Sequence, residues 1–166
     1  MDARTGTLST RASGGVRLAQ WLAVLVPGGL LAGALGSQYL GGLHPCEMCY
    51  WQRWPHWAAL ALGGLSFFLP RQARTLTFLA AIAIAVSGAI GLFHAGVEAG
   101  WWQGLTSCST VAQGNSPDEL LKNILATPLV RCDQVQWAFL GLSMAAWNAV
   151  ISLVSAGVIA WLNRKR

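Results

Sequence analysis

The 166-residue chain is 54% hydrophobic and only 10% charged, with a mean hydropathy of +0.48. Those proportions exclude a single soluble core under a polar shell and place the chain in lipid. The formal charge of +5 and pI near 9.5 come without a basic stripe, which excludes a nucleic-acid partner and leaves topology as the meaning of the charge.

Charge-free intervals then mark the elements in chain order. A polar arm with Arg4, Arg11 and Arg17 precedes the first apolar segment, residues 18–40. Ala32-Gly33-Ala34 looks like a signal cleavage site, but the apolar stretch is longer than the roughly 7 to 15 residues of a signal peptide, so we expect a retained helix. A short loop, 41–51, leads to a second span at 54–69, interrupted near its start by Pro55. A third span covers 75–95 and a fourth 144–162, each close to the roughly 20 residues that cross a bilayer. The long loop between them, 96–143, contains an amphipathic segment at 116–125. There Ser116, Pro117 and Glu119 form a helix-start signature, and Leu120, Leu121, Ile124 and Leu125 form a stripe suited either to the membrane surface or to packing within the loop. The expected architecture is an all-α protein of one domain, 1–166, with four transmembrane helices and a short loop helix.

Cationic loops stay in the cytoplasm. Arg4, Arg11, Arg17, Arg71, Arg74, Arg164, Lys165 and Arg166 fall on one side, against Arg53, Lys122 and Arg131 on the other, where five of the six acids also lie. Both termini are therefore expected inside, with the loops 41–51 and 96–143 outside. All four cysteines, Cys46, Cys49, Cys108 and Cys132, fall in those two outer loops. That is the compartment in which disulfides persist, and the placement favours redox chemistry over packing.

Cys46-Glu47-Met48-Cys49 can close a short, readily exchanged ring, and Arg53 follows Cys49 by four residues. If a helix begins near Cys49, both share a face and the guanidinium favours a Cys49 thiolate. Snorkelling of Arg53 to the headgroups is the plainer alternative. Cys108 and Cys132 are separated by 23 residues and could serve either as a second redox pair or as a loop staple. His94, near the outer end of the third span, is either an interfacial polar group or a hydrogen-bond donor or proton relay to a ligand at the depth of Arg53. The nine tryptophans mostly mark span ends, though one or two near Cys49 could flank a flat acceptor. A zinc site from Cys46 and Cys49 with two of Cys108, Cys132 and His44 has suitable ligand types but lacks a second close pair. A c-type haem needs histidine where Tyr50 stands.

These residues resemble the disulfide bond formation protein B family of bacterial inner membranes. The resemblance covers most of the chain. Its most specific parts are Pro45-Cys46-Glu47-Met48-Cys49 followed by Arg53, the cysteine pair in the second outer loop, and the run from Cys132 through Trp137, Phe139-Leu140-Gly141-Leu142 and Met144. Gln52 stands where some relatives carry an acid, and the exit of the third span is unusually rich in glycine and tryptophan.

The resemblance implies a quinone-dependent thiol oxidoreductase of the inner membrane, with its cysteine loops facing the periplasm. A reduced thioredoxin-fold dithiol oxidase would attack Cys108, and the electrons would pass from the Cys108/Cys132 pair to Cys46/Cys49. Cys49 would then face a bound quinone, ubiquinone or menaquinone, supported by Arg53 and, in the same pocket, His94. A soluble oxidase at about −120 mV needs a stronger acceptor for its reoxidation, and such a relay to quinone is known to keep the bacterial periplasm oxidising. The other class of reading is a four-helix scaffold or transporter stapled by structural disulfides. The vitamin K epoxide reductase-like group, also four-helical with two cysteine pairs, has its C-x-x-C near the last helix rather than before the second.

Overall fold

The computed structural model describes residues 14–105, 116–126 and 130–164. Four long helices dominate: α1 (Gly14–Tyr39), α2 (Glu47–Phe68), α3 (Ala73–Glu98) and α5 (Met144–Arg164), with the short α4 (Pro117–Ala126) between α3 and α5. Three of them, α1, α3 and α5, are long and apolar enough to cross a membrane. Helix α2, with 22 residues, is not among those three. Its first half carries Gln52, Arg53 and His56 and lowers its apolarity.

Helix α2 begins near Cys49, as expected: it starts at Glu47, where the Cys46 sulfur caps it by accepting from the Cys49 amide at 3.3 Å. One expectation needs correction. Pro55 does not interrupt the span: the helix continues to Phe68 with Pro55 inside, at the cost of one backbone hydrogen bond. One short hairpin accompanies the helices among the described residues. Ala138–Phe139 pairs antiparallel with Leu142–Ser143, forming β1 and β2, joined through Leu140 and Gly141 at φ 51° and 78°. Two positive φ angles in succession are the pattern of a type I′ hairpin turn.

Helix α3 packs most extensively on α5 and α2, while α1 leans on α2 and α5. Small residues permit that closeness. Ala19, Ala23, Ala59, Ala80, Ala81 and Ala156 surround Ile84 and Ile159 in the main core. At Gly63 an added Cβ would stand 2.8 Å from the Ala23 carbonyl oxygen, so only glycine lets α1 and α2 meet there. Large apolar side chains such as Leu25, Phe68, Phe78, Ile82 and Val154 point outward, whereas Gln20, Thr77, Ser87 and Ser152 are buried. This inverted surface suits lipid, where interior polar groups must satisfy one another. In α4, Ser116 Oγ accepts from the Glu119 amide at 3.3 Å, as its helix-start signature predicts; the side chains of Leu120, Ile124 and Leu125 lie outside the described residues.

Candidate active site at the sulfur end of the bundle

The start of α2 delivers the sulfurs. With Cys46 as cap and Cys49 in the first turn, their Sγ atoms lie 2.9 Å apart, both unbonded. The helix N-terminus favours negative charge there. The pair divides its proton unequally. The hydrogen bond from Cys46 holds the Cys49 thiol below its ordinary range, helped by the charge of Arg53, while the same bond together with burial pushes Cys46 well above it. In the reduced pair this asymmetry favours the thiolate on Cys49 and the proton on Cys46.

Arg53, one turn further along α2, is held in place by its neighbours. It donates to Gln38 Oε1 at 2.5 Å and to the Ala34 carbonyl at 3.1 Å, and its guanidinium sits 5.1 Å from the Tyr50 ring centroid. It therefore faces α1 and the bundle interior, where simple snorkelling would turn it outward.

Cys132 is disulfide-bonded and packs with Cys46, Met48 and Val97 in one buried cluster. Cys108 lies outside the described residues. His94, 3% exposed, reaches the same place: its Nε2 is 3.6 Å from Cys46 Sγ and 3.9 Å from a Glu98 carboxylate oxygen, and the ring is hydrogen-bonded to the Cys132 backbone. Glu98 in turn accepts from Ser143 Oγ, whose oxygen accepts from the Ala146 amide at the start of α5.

A cavity of about 380 Å³ opens beside the sulfurs, bounded by Cys46, Cys49, Arg53, His56 and His94, by Gly29, Gly33 and Ala34 of α1, and by Trp137, Phe139 and Trp147. Trp137 stacks on Phe139 with ring centroids 6.1 Å apart, and Trp147 Nε1 donates to the Phe139 carbonyl at 3.0 Å. The hairpin thus closes the cavity with an aromatic wall. A largely apolar space of this size with a few convergent polar groups is suited to a small, flat organic ligand.

The donor atoms of Cys46, Cys49 and His94 lie within 4.8 Å of one another. A four-ligand zinc centre that also uses Cys132 conflicts with the disulfide of that sulfur, and His44 lines the cavity without joining the group.

The fold thus brings together Cys46, Cys49, Arg53, His94 and Cys132. Sequence reading missed the participation of Glu98, His56 and Asn148. His56 Nε2 and Asn148 Oδ1 are 2.9 Å apart, and Asn148 donates to Gln52 Oε1 at 2.8 Å. Polar residues inside apolar spans were the available signal.

The family model described as "Disulfide bond formation protein DsbB" matches residues 16–162. The disulfide bond formation protein B of Marinobacter nauticus is 33% identical over 153 residues, covering 86% of this chain and 90% of that protein. The protein of that name from Xanthomonas oryzae pv. oryzae is 35% identical over 142 residues, covering 78% and 79%. The one from Hahella chejuensis is 28% identical over 165 residues, covering 90% and 96%. No solved structure matches the chain.

Proposed function

Since this chain belongs to the DsbB family of disulfide bond formation proteins, we propose that it is a membrane thiol:quinone oxidoreductase that reoxidises a periplasmic thioredoxin-fold dithiol oxidase. One observation carries the reading: two unbonded sulfurs, Cys46 and Cys49, meet 2.9 Å apart at the mouth of an apolar cavity while disulfide-bonded Cys132 packs against Cys46.

In this reading α2 is the fourth span, both termini are cytoplasmic, and the cysteine loops face the periplasm of an inner-membrane protein. The lopsided arginine distribution supports that orientation. The partner's thiolate attacks Cys108 of a Cys108–Cys132 disulfide and frees the Cys132 thiolate. Cys132 then attacks Cys46, so that the Cys46–Cys132 bond forms, the Cys46–Cys49 bond breaks, and the electron pair leaves on Cys49. The partner's second thiol releases it from Cys108, and Cys108 reclaims Cys132, leaving Cys46 and Cys49 reduced.

When bound, a quinone supplies a two-electron sink that polypeptide lacks. The residues present fit it: Arg53 would attract a carbonyl oxygen or its reduced, anionic form, His94 would bound the polar end of the same pocket, and Trp137, Phe139 and Trp147 would hold a flat ring away from water. Cys49 supplies the thiolate, and Cys46 gives up its proton as the pair closes.

The test is quinone reduction by the purified full chain in nanodiscs, supplied with a reduced thioredoxin-fold dithiol oxidase and decylubiquinone. The expected result is one quinone consumed per partner disulfide formed, abolished by Cys49→Ser. A wild-type chain that consumes no quinone, with its disulfides inert to the partner, would establish the scaffold reading instead.

A further inference from the structure

Below the sulfurs, the side chains of buried Gln52 and half-buried Asn148 connect α2, α3 and α5. Gln52 is only 7% exposed. Its Nε2 is 3.1 Å from the Met48 carbonyl and 2.9 Å from His94 Nδ1. Asn148 Nδ2 is 2.8 Å from Gln52 Oε1 and 3.3 Å from the Ser87 carbonyl.

Backbone carbonyls only accept, and this fixes the orientation of both amides. The Ser87 carbonyl requires the Asn148 NH₂ group on its side, so Asn148 donates to Gln52 Oε1. The Met48 carbonyl requires the Gln52 NH₂ group on its side, so the second Gln52 proton points at His94 Nδ1. A nitrogen that receives a proton donor holds a lone pair. His94 therefore carries its proton on Nε2, the atom facing Cys46 Sγ at 3.6 Å, and that N–H is the group available to the Cys132 backbone.

We propose that Gln52 and Asn148 are positioning residues that lock His94 as an Nε2–H donor at the junction of Cys46 and Cys132. The proposal rests on the relay reading above. Its consequence lies in the exchange step, in which the Cys132 thiolate attacks Cys46, the Cys46–Cys49 bond breaks, and the electron pair leaves on Cys49. A donor held at that junction keeps the Cys132 backbone beside the sulfur it must reach. An acid at position 52 could not perform this task in the same way, because a carboxylate would draw a proton onto Nδ1.

The experiment is nitrogen NMR of the full chain in nanodiscs with ¹⁵N-labelled histidine, the His94 signals being assigned by their absence in His94→Asn. Wild type is expected to show a hydrogen-bonded, unprotonated Nδ1 and a protonated Nε2. Gln52→Glu is expected to protonate Nδ1. The near-isosteric Asn148→Leu, which removes the donor to Gln52 Oε1 but leaves the Met48 carbonyl, should weaken the hydrogen bond at Nδ1, seen as a shift of its signal, and slow partner-driven quinone reduction by about tenfold, the effect of one lost hydrogen bond. A wild-type Nδ1 that carries a proton, or a His94 signature unchanged in Gln52→Glu, overturns the proposal. If Asn148→Leu does not fold, the comparison of wild type with Gln52→Glu decides alone. These spectra need no turnover, so a wild type inactive toward quinone would sink the relay reading without altering what they say about the tautomer.

Discussion

Cys132 and Cys46, far apart in sequence, share one buried cluster while only Cys132 is disulfide-bonded. In the proposed relay, an electron pair arriving at Cys132 would find its next sulfur in the same buried cluster, with His94 beside both. The fold would then have closed the loop before exchange begins, which is how proximity lowers a barrier.

The unequal sharing of the proton predicts unequal reactivity. In the reduced protein, Cys49 lies below the ordinary thiol range and Cys46 above it, so Cys49 is ionised at a lower pH than a free cysteine. Iodoacetamide should modify Cys49 first at neutral pH, with the rate falling as pH drops through the lowered value. Cys46 should react only in alkali while Cys49 is unmodified. Peptide mass spectrometry after brief labelling checks the order; preferential labelling of Cys46 would show the assignment reversed.

Arg53→Ala removes a charge that favours the Cys49 thiolate together with the bonds to Gln38 and Ala34. The Cys49 thiol should rise part of the way toward its ordinary range, since the Cys46 hydrogen bond is the larger cause and remains, and quinone reduction at neutral pH should slow by about three- to tenfold. Arg53→Lys should fall between, since it keeps the charge without the two-pronged donor geometry. The pH profile of Cys49 alkylation, read beside unchanged helicity by circular dichroism, separates this from misfolding.

Adjacent glycines give a matched pair for the bundle. Gly63→Ala forces a methyl to 2.8 Å from the Ala23 carbonyl oxygen, whereas Gly64→Ala meets nothing within 4 Å. The first should destabilise by about 1 to 3 kcal/mol, and the second should be neutral or slightly stabilising through helix propensity. Thermal unfolding in detergent checks both, and equal effects would contradict the close α1–α2 approach.

Ser143→Ala removes both the cap on the Ala146 amide and the donor to Glu98. A loss of about 1 kcal/mol is expected from the cap, and Ser143→Thr should restore most of it. Unfolding midpoints of the three proteins test this.

The long helices were legible because charges are absent from each apolar interval, and lipid tolerates few of them. The α2 start was harder to place, since a cysteine sulfur caps it and serine, threonine or aspartate is the expected signal. Pro55 misled for a related reason: bundle packing keeps the helix continuous through a residue that local propensity would use to end it. The hairpin went unseen because its turn uses Leu140-Gly141, and leucine at positive φ has no sequence signature. At the site, cysteine placement and the Arg53 spacing announced themselves, being rare residue types in an apolar chain. The Gln52, Asn148 and His56 contacts did not, because they depend on how α2, α3 and α5 are rotated against one another, which apolar periodicity leaves undetermined when helices are hydrophobic on all sides.

The most direct test of quinone-coupled disulfide generation is thiol trapping in intact cells with a membrane-impermeant alkylating reagent, comparing quinone-replete with quinone-depleted cells and counting modified cysteines by mass. The account predicts four oxidised cysteines when quinone is present and trapped thiols at Cys46 and Cys49 when it is depleted. Disulfides that persist equally in both conditions would contradict it and make the sulfurs structural staples.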